Sequence, residues 1–162
     1  MIDAGCDQIG KRFLSDRQPP SLSESELALT KTGRKEGAGT TTGEEEDGGG
    51  GNNNTRDDRD GDGRILPDTK CRISRPGVAR LALEDGRAVL YHCFDNSRAY
   101  RGAALSPMEF ELDDAPALES LLTTYDPDWI RVDDLVHGDI EDKVDIVRVL
   151  YDEGILAISN HA

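Results

Sequence analysis

The chain has 162 residues, of which 33 are acidic and 19 are basic, so its formal net charge is −14. This length allows one modest domain with tails. The three cysteines are too few and too widely spaced for a disulfide framework, and no apolar run is long enough to cross a bilayer or to act as a signal peptide; together these features favour a reduced, intracellular protein without a membrane partner.

Charge is distributed unevenly along the chain. The balance is −6 over residues 1–63, +4 over residues 64–104 and −12 over residues 105–162. A strongly acidic segment is repelled by phosphate backbones, whereas a basic segment attracts acidic partners. The sequence therefore argues against nucleic-acid binding through the C-terminal part.

The N-terminal segment carries an apolar cluster, from Arg12-Phe13-Leu14 to Pro20, with almost no local core to cover it. We expect this segment either to fray or to associate with another copy of the chain. Residues 37–63 then combine four consecutive glycines, three consecutive asparagines and an acidic run, with no large apolar side chain. Such a composition cannot bury enough surface to offset chain entropy, so it predicts a disordered linker.

Two β-prone runs, 78–84 and 87–93, are separated by Asp85-Gly86, which predicts a tight hairpin whose turn needs positive φ. This turn sets the register, and the predicted pairs are Glu84 with Arg87, Leu83 with Ala88, Leu81 with Leu90 and Ala79 with His92. We expect the face formed by the last three pairs to be apolar and buried. The opposite face, which carries Arg80 and Tyr91, is expected to lie in water.

Asp95-Asn96 predicts a second turn, in which the Asn96 side chain forms local hydrogen bonds. The chain is then expected to return as a short strand over Ser97–Arg101. Cys71–Ser74 is expected to add a further strand at the far edge. The result is a small antiparallel sheet within residues 64–104.

From Leu105 onward the periodicity is helical. Asp114 is a predicted N-cap with Pro116 in the first turn, and Pro127 ends the helix. The apolar stripe of this helix, at positions i, i+3, i+4 and i+7, consists of Leu118, Leu121, Leu122 and Tyr125. A second short helical element is expected to contain Trp129, Ile130, Val132, Leu135 and Val136, with Trp129 and Tyr125 in the core.

Asp139 is the predicted cap of a third helix, with Asp142 at position N3 and Gly154 as a left-handed stop. One face of this helix repeats Ile140, Val144, Val147 and Tyr151. Ile155–Ile158 is expected to form a closing strand that can pair with the hairpin. Three helices followed by such a strand predict an α+β fold, a winged-helix-like domain with a small antiparallel sheet.

The run His137-Gly138-Asp139 has the spacing of the first two ligands in Fe(II) oxygenases, which bind iron through two histidines and a carboxylate. The context is wrong for such a site, because the run precedes a helix and the only later histidine is His161, beside the last residue. We therefore interpret Asp139 as a helix cap and His137 as a residue of a polar loop.

His92 beside Cys93 suggests a thiolate or zinc site. Zinc needs four ligands, and Cys71 and Cys6 offer no paired spacing to complete the set. We expect His92 to be a core histidine whose ring is satisfied by a backbone partner.

The third helix of many winged-helix proteins enters the major groove of DNA with basic or amide side chains. Here the basic side chains of Ile140–Glu153 are Lys143 and Arg148, and they are outnumbered by Glu141, Asp142, Asp145, Asp152 and Glu153. This charge predicts that the helix contacts protein, or supports a neighbouring domain, rather than binding DNA.

Four stretches of the chain carry a family likeness: Gln8–Leu27, Tyr91–Tyr100 with its closest match at Asp95–Arg98, Met108–Thr124, and Ile140–Lys143 through Tyr151–Leu156. These stretches resemble the C-terminal part of the ribosomal oxygenases. Members of that family are nuclear JmjC-type dioxygenases that use Fe(II) and 2-oxoglutarate to hydroxylate a histidine in ribosomal proteins, and some are also described as histone lysine demethylases.

The resemblance implies a domain plan. Residues 1–36 correspond to the remnant of a helical dimerisation region, residues 37–63 to the linker, residues 64–104 to antiparallel strands, and residues 105–162 to the helices and closing strand of a winged helix. It further implies a homodimer through the N-terminal segment, a ribosomal protein or a histone as substrate of the family, and a location in the nucleus or nucleolus.

No position of this chain matches the iron ligands or the 2-oxoglutarate anchor of the family. We therefore assign no catalytic, cofactor-binding or metal residue, and we expect the chain alone to be inactive. The sequence favours the non-catalytic C-terminal portion of an Fe(II)- and 2-oxoglutarate-dependent oxygenase, which supports the fold or binds a partner. The alternative is an independent acidic module that binds basic proteins.

Overall fold

The computed structural model describes residues 4–31, 64–96 and 106–159, with side chains described from Ile9 onward. Its helices are α1 (Ala4–Asp16), α2 (Glu24–Leu27), α3 (Ala115–Thr123) and α4 (Ile140–Asp152). Its strands are β1 (Lys70–Ile73), β2 (Ala79–Glu84), β3 (Arg87–His92), β4 (Met108–Phe110), β5 (Ile130–Arg131) and β6 (Leu156–Ser159). The predicted linker over residues 37–63 and the predicted strand Ser97–Arg101 lie outside the described residues. No helix in the described ranges is long and apolar enough to cross a membrane.

The predicted hairpin is confirmed. Strands β2 and β3 pair in the predicted register, beginning with Glu84 opposite Arg87. Asp85 and Gly86 have φ values of 49° and 78°, as the two central positions of a tight hairpin turn require. Strand β4 pairs with β3 and completes an antiparallel sheet in the order β2–β3–β4.

The two faces of the hairpin are covered differently from the prediction. Leu83, expected to be buried, is 64% exposed beside the turn. Ala82 and Val89 lie on the face expected in water, yet they are buried, because α1 packs against β2 and β3. On that face, the Lys11 ammonium of α1 lies 4.6 Å from the centre of the Tyr91 ring. The N-terminal segment therefore packs against the sheet instead of fraying.

Strand β1 does not join the hairpin, which corrects the prediction of a single sheet. It forms a second antiparallel sheet in the order β5–β1–β6, with Cys71 between Ile130 and Ile158. The closing strand β6 exists as predicted, but its partner is β1. Three of its four residues are buried, because β6 packs in the core beside β1.

Two segments predicted as helical are strands. Met108–Phe110 alternates two half-buried side chains with the exposed Glu109, which is the period of a strand. The second predicted helical element instead contains β5 followed by turns, and the Val132 N–H donates to the Thr69 carbonyl at 3.0 Å. Ile130 and Val132 are β-branched, which favours this extended conformation.

The core lies between α3, α4, the β5–β1–β6 sheet and the hairpin. Its largest fully buried aliphatic side chains include Ile73, Leu90, Leu118, Leu121, Leu150, Ile155, Leu156 and Ile158. Helix α3 ends at Thr123, so Tyr125 lies beyond it and is 50% exposed, contrary to the prediction of a core position. Trp129 is half-buried, and the Arg72 guanidinium lies 4.3 Å from the centre of its ring.

Candidate functional site

Helix α4 separates a buried apolar face from an acidic outer face. Its start is confirmed, since the Asp139 carboxylate accepts the Glu141 N–H at 2.8 Å, and Gly154 ends the helix with φ of 76°. Its buried side chains are Ile146, Val147, Leu150 and Tyr151. Exposed acidic residues occupy the opposite face: Glu141, Asp142, Asp145 and Asp152.

Basic side chains neutralise this face only in part. Arg148 pairs with Asp145 one turn away, and Lys31 of the N-terminal segment pairs with Asp152 at 2.6 Å. The Lys143 ammonium donates to the backbone carbonyl of Asp133 at 2.8 Å. Glu141 and Asp142 therefore carry the remaining negative charge of the outer face of α4.

An open groove of about 300 Å³ separates β4 from α4, and we call it the β4–α4 groove. Four of its lining residues are apolar and four are acidic: Met108, Phe110, Ile146 and Val149, and Glu109, Asp114, Asp142 and Asp145. Within residues 4–31, 64–96 and 106–159, no basic side chain lines the groove. The helical periodicity predicted over Met108 and Phe110 gives no sign of this site, because only their strand pairing places them beside α4.

His137 lies in the loop before α4. Its Nδ1 accepts the Asp139 N–H at 3.2 Å, and its Nε2 lies 3.2 Å from a carboxylate oxygen of Asp114. Asp114 also accepts the Glu111 N–H at 3.0 Å, so this carboxylate closes the turn before α3 rather than capping α3 itself. The interpretation of His137 as a loop residue and Asp139 as a cap is therefore confirmed, while His161 lies outside the described residues.

His92 is buried as predicted, but the expected backbone partner is missing among the described residues. Its Nδ1 has no hydrogen-bond partner there, and its Nε2 lies 4.0 Å from Asp95. Within residues 4–31, 64–96 and 106–159, one group could hold a metal ion, formed by His92, Asp95 and Glu153 with ligand atoms within 4.8 Å of one another. One imidazole with two carboxylates is not the set of two imidazoles and one carboxylate that binds iron in these oxygenases.

Cys71 and Cys93 are both buried and free. Burial raises the pKa of the Cys71 thiol to about 12, and burial also raises the pKa of Cys93. Burial therefore disfavours the thiolate, which is the form that binds metals.

A second depression lies under α1 and has the opposite electrostatic character. It measures about 630 Å³ and is lined by Ile9, Gly10, Phe13, Leu14, Arg17, Gly77, Ala79 and Arg80. Ile9 and Phe13 are 73% and 64% exposed. Asn96 holds this helix in place, because its side-chain amide donates to the carbonyls of Leu14 at 2.6 Å and Arg17 at 2.7 Å. The Asn96 side chain thus caps the end of α1, while the part of the predicted turn from Ser97 onward lies outside the described residues.

Comparison with known proteins defines the class. Residues 19–160 match the family model described as the C-terminal winged helix domain of ribosomal oxygenase 1, so this α+β fold is a winged-helix domain. The chain is 34% identical to Ribosomal oxygenase 1 of Gallus gallus, covering 96% of this chain and 23% of that protein. It is 30% identical to the bifunctional lysine-specific demethylase and histidyl-hydroxylase NO66 of Branchiostoma floridae, again covering 96% of this chain and 23% of that protein. It is 32% identical to Ribosomal oxygenase 1 of Homo sapiens, covering 96% of this chain and 22% of that protein.

The chain belongs to the ribosomal oxygenase family. It spans less than a quarter of the length of these relatives, and it matches the C-terminal winged helix domain of the family. The resemblance stated from the sequence is therefore confirmed.

Proposed function

We propose that this chain is a non-catalytic winged-helix portion of an Fe(II)- and 2-oxoglutarate-dependent oxygenase, and that its role is to contact a basic protein partner. The relatives are named as histidyl-hydroxylases and lysine-specific demethylases. A ribosomal protein or a histone is basic, so it would suit an acidic accessory domain in a nuclear or nucleolar enzyme. The oxygenase reaction itself would take place in the parts of such an enzyme that this chain does not span.

The observation that carries this proposal is the acidic outer face of α4. In a DNA-binding winged helix this helix would approach phosphates, and here its cations contact Asp145 of the same helix and the Asp133 carbonyl. A negative face favours basic partners and disfavours nucleic acid.

The described residues do not fit an iron centre. His137 is held by Asp114 and Asp139, and His92 brings one imidazole to two carboxylates. Neither arrangement supplies two imidazoles and a carboxylate on one face of a metal. We therefore derive no catalytic step from this chain.

The exposed side chains of α1 support a further part of the proposal, a homodimer through the N-terminal segment. Ile9 and Phe13 are large, apolar and more than half exposed on one helix. Contiguous exposed apolar surface of this kind is typical of protein contacts. Serine at both positions is expected to abolish concentration-dependent dimer formation in analytical ultracentrifugation while leaving the fold intact.

The catalytic part of the proposal is tested with the purified full chain. We expect no stoichiometric binding of Fe(II) in calorimetry and no consumption of 2-oxoglutarate above a protein-free control. Turnover of 2-oxoglutarate that depends on Fe(II) and is lost in His92→Ala would contradict the proposal.

A second candidate is an independent acidic module, which the β4–α4 groove favours because it offers an apolar floor for a partner. The two candidates differ in whether the chain associates with a catalytic region of its family. Coexpression with the catalytic region of the Gallus gallus relative is expected to give a stable complex if the chain is an accessory portion. An independent module would give none.

A further inference from the structure

We propose that the β4–α4 groove is a docking site for an extended basic protein segment that inserts an apolar side chain between flanking lysines or arginines. This inference rests on the proposed function and deepens it, because it places the basic partner on one part of the acidic surface.

The floor of the groove is apolar and open. Val149 is 44% exposed in the last turn of α4, whereas Ile146, one turn earlier, is 5% exposed and lies at the bottom of the groove. Met108 and Phe110 are half-buried on β4 and form the opposite wall. A volume of about 300 Å³ is at the small end of ligand pockets, which suits one or two inserted side chains rather than a folded domain.

The acidic residues at the rim of the groove favour a positively charged ligand. Asp142 and Asp145 project from α4, and Glu109 projects from β4. Asp145 pairs with Arg148, and the His137 Nδ1 lies 3.8 Å from a carboxylate oxygen of Asp142. Glu109 is exposed. Negative charge therefore remains around the floor even with these pairs formed.

This combination selects among occupants. A purely apolar ligand would leave the rim carboxylates uncompensated, and an acidic ligand or a nucleic acid would be repelled. A segment with a leucine-like side chain between cations satisfies both the floor and the rim. Interfaces commonly have this form, with an apolar centre surrounded by polar contacts.

The location of binding is measured on the unmodified full chain. The probe is a short fluorescein-labelled peptide in which two leucines alternate with arginines, and its comparison peptide has serine in place of leucine. We expect the amide resonances of Met108–Phe110 and of Val149 to shift on titration, and the serine peptide to bind at least about fivefold more weakly. Shifts confined to other surfaces would overturn the inference.

Matched variants distinguish binding in the β4–α4 groove from nonspecific electrostatic attraction to the acidic chain. Asp142→Asn with Asp145→Asn removes two charges from the rim, and Glu119→Gln with Asp134→Asn removes two charges from exposed positions that do not line the groove. The first pair is expected to weaken the peptide about tenfold and the second less than about threefold, because nearby charges contribute more than distant, screened ones. For the floor, Val149→Ser is expected to weaken binding, whereas Leu83→Ser, at an exposed position of the hairpin, is not.

Failure of the groove proposal and failure of the proposed acidic contact give different results. Equal losses in the two charge pairs would overturn the groove and leave the proposed acidic contact standing. No binding of either peptide at low salt would overturn both. Occupation of the groove by a second copy of the chain would appear as self-association that Val149→Ser abolishes, and it would also overturn the inference.

Discussion

Helices α1 and α4 have the same length, 13 residues each, yet they are attached to the domain in different ways. Helix α4 buries four side chains in the core. From Ile9 to Asp16, helix α1 buries Leu14 and leaves Ile9 and Phe13 exposed. Its other contacts with the sheet are mostly polar. They are formed by Asn96, by Lys11 with Glu84 and Tyr91, and by Arg17, whose guanidinium donates to the Gly77 carbonyl at 2.6 Å.

The difference separates a structural helix from a peripheral one. Burial of apolar area contributes most of the stability of a domain, whereas exposed ion pairs and a few hydrogen bonds contribute little. We expect α4 to open only with global unfolding and α1 to detach on its own. In the proposed function the exposed surfaces have different uses, with the acidic face of α4 for a basic partner and the apolar face of α1 for another copy of the chain.

The largest expected effect is the difference in the free energy of unfolding between one substitution in α4 and one in α1. Leu150→Ala removes a fully buried side chain of α4 and should lower the free energy of unfolding by about 2–5 kcal/mol. Phe13→Ala, at a 64% exposed position of α1, should change it by less than about 0.5 kcal/mol. Urea unfolding followed by circular dichroism measures both values. Equal losses would mean that α1 is as integral as α4.

The next effect concerns the polar attachment of α1. Asn96 is buried, and its amide is the donor to two backbone carbonyls, so Asn96→Ala should destabilise the docked helix by about 1–3 kcal/mol. Hydrogen exchange should rise in α1 and stay unchanged in α4. Asp95→Ala, at the exposed neighbouring position, serves as the control. Exchange that rises equally in both helices would show that α1 does not detach separately.

A smaller effect is expected at the start of α4. Asp139→Ala removes the side chain that caps the helix and should cost about 1 kcal/mol. Asp139→Ser keeps an acceptor at the same position and should restore most of the loss in thermal unfolding. A serine variant as unstable as the alanine variant would argue that the Asp139 charge, and not its capping bond, stabilises the helix.

The smallest effect depends on pH and concerns the segment after α1. The pKa of Glu26 lies below its ordinary value of 4.5, mainly because the Ser23 N–H donates to its carboxylate at 2.7 Å, with Arg75 at 2.9 Å as a further cause. A lowered pKa in the folded state gives stability that is present above the unfolded pKa and is lost as the pH falls through the folded pKa. The difference in stability between the native chain and Glu26→Gln should therefore shrink between about pH 6 and pH 3. A difference that grows on acidification would contradict the assigned direction.

Local signals allowed much of this fold to be predicted from the sequence. Asp85-Gly86, Asp139 and Gly154 each act within a few residues, and the structure has the hairpin register, the helix cap and the helix stop where these residues indicate. The pairing of β1 with β6 joins segments more than eighty residues apart along the chain. No local pattern reports such a contact, so β1 was assigned to the wrong sheet.

The candidate groove could not be predicted for the same reason. The acidic residues of α4 were recognised from composition, but the groove exists only because β4 lies beside that helix. Likewise, the cover that α1 gives to Ala82 and Val89 depends on a contact between distant segments, so their face of the hairpin was assigned to water.

The central claim is that the acidic outer face of α4 makes this winged-helix domain bind basic protein rather than nucleic acid. The most direct measurement titrates the full chain with the leucine and arginine peptide and with a duplex DNA, at salt concentrations of about 0.05 M and about 0.3 M. We predict that the peptide binds at low salt and weakens at high salt, while the duplex does not bind at either concentration. Duplex binding at low salt, together with no binding of the peptide, would contradict the claim.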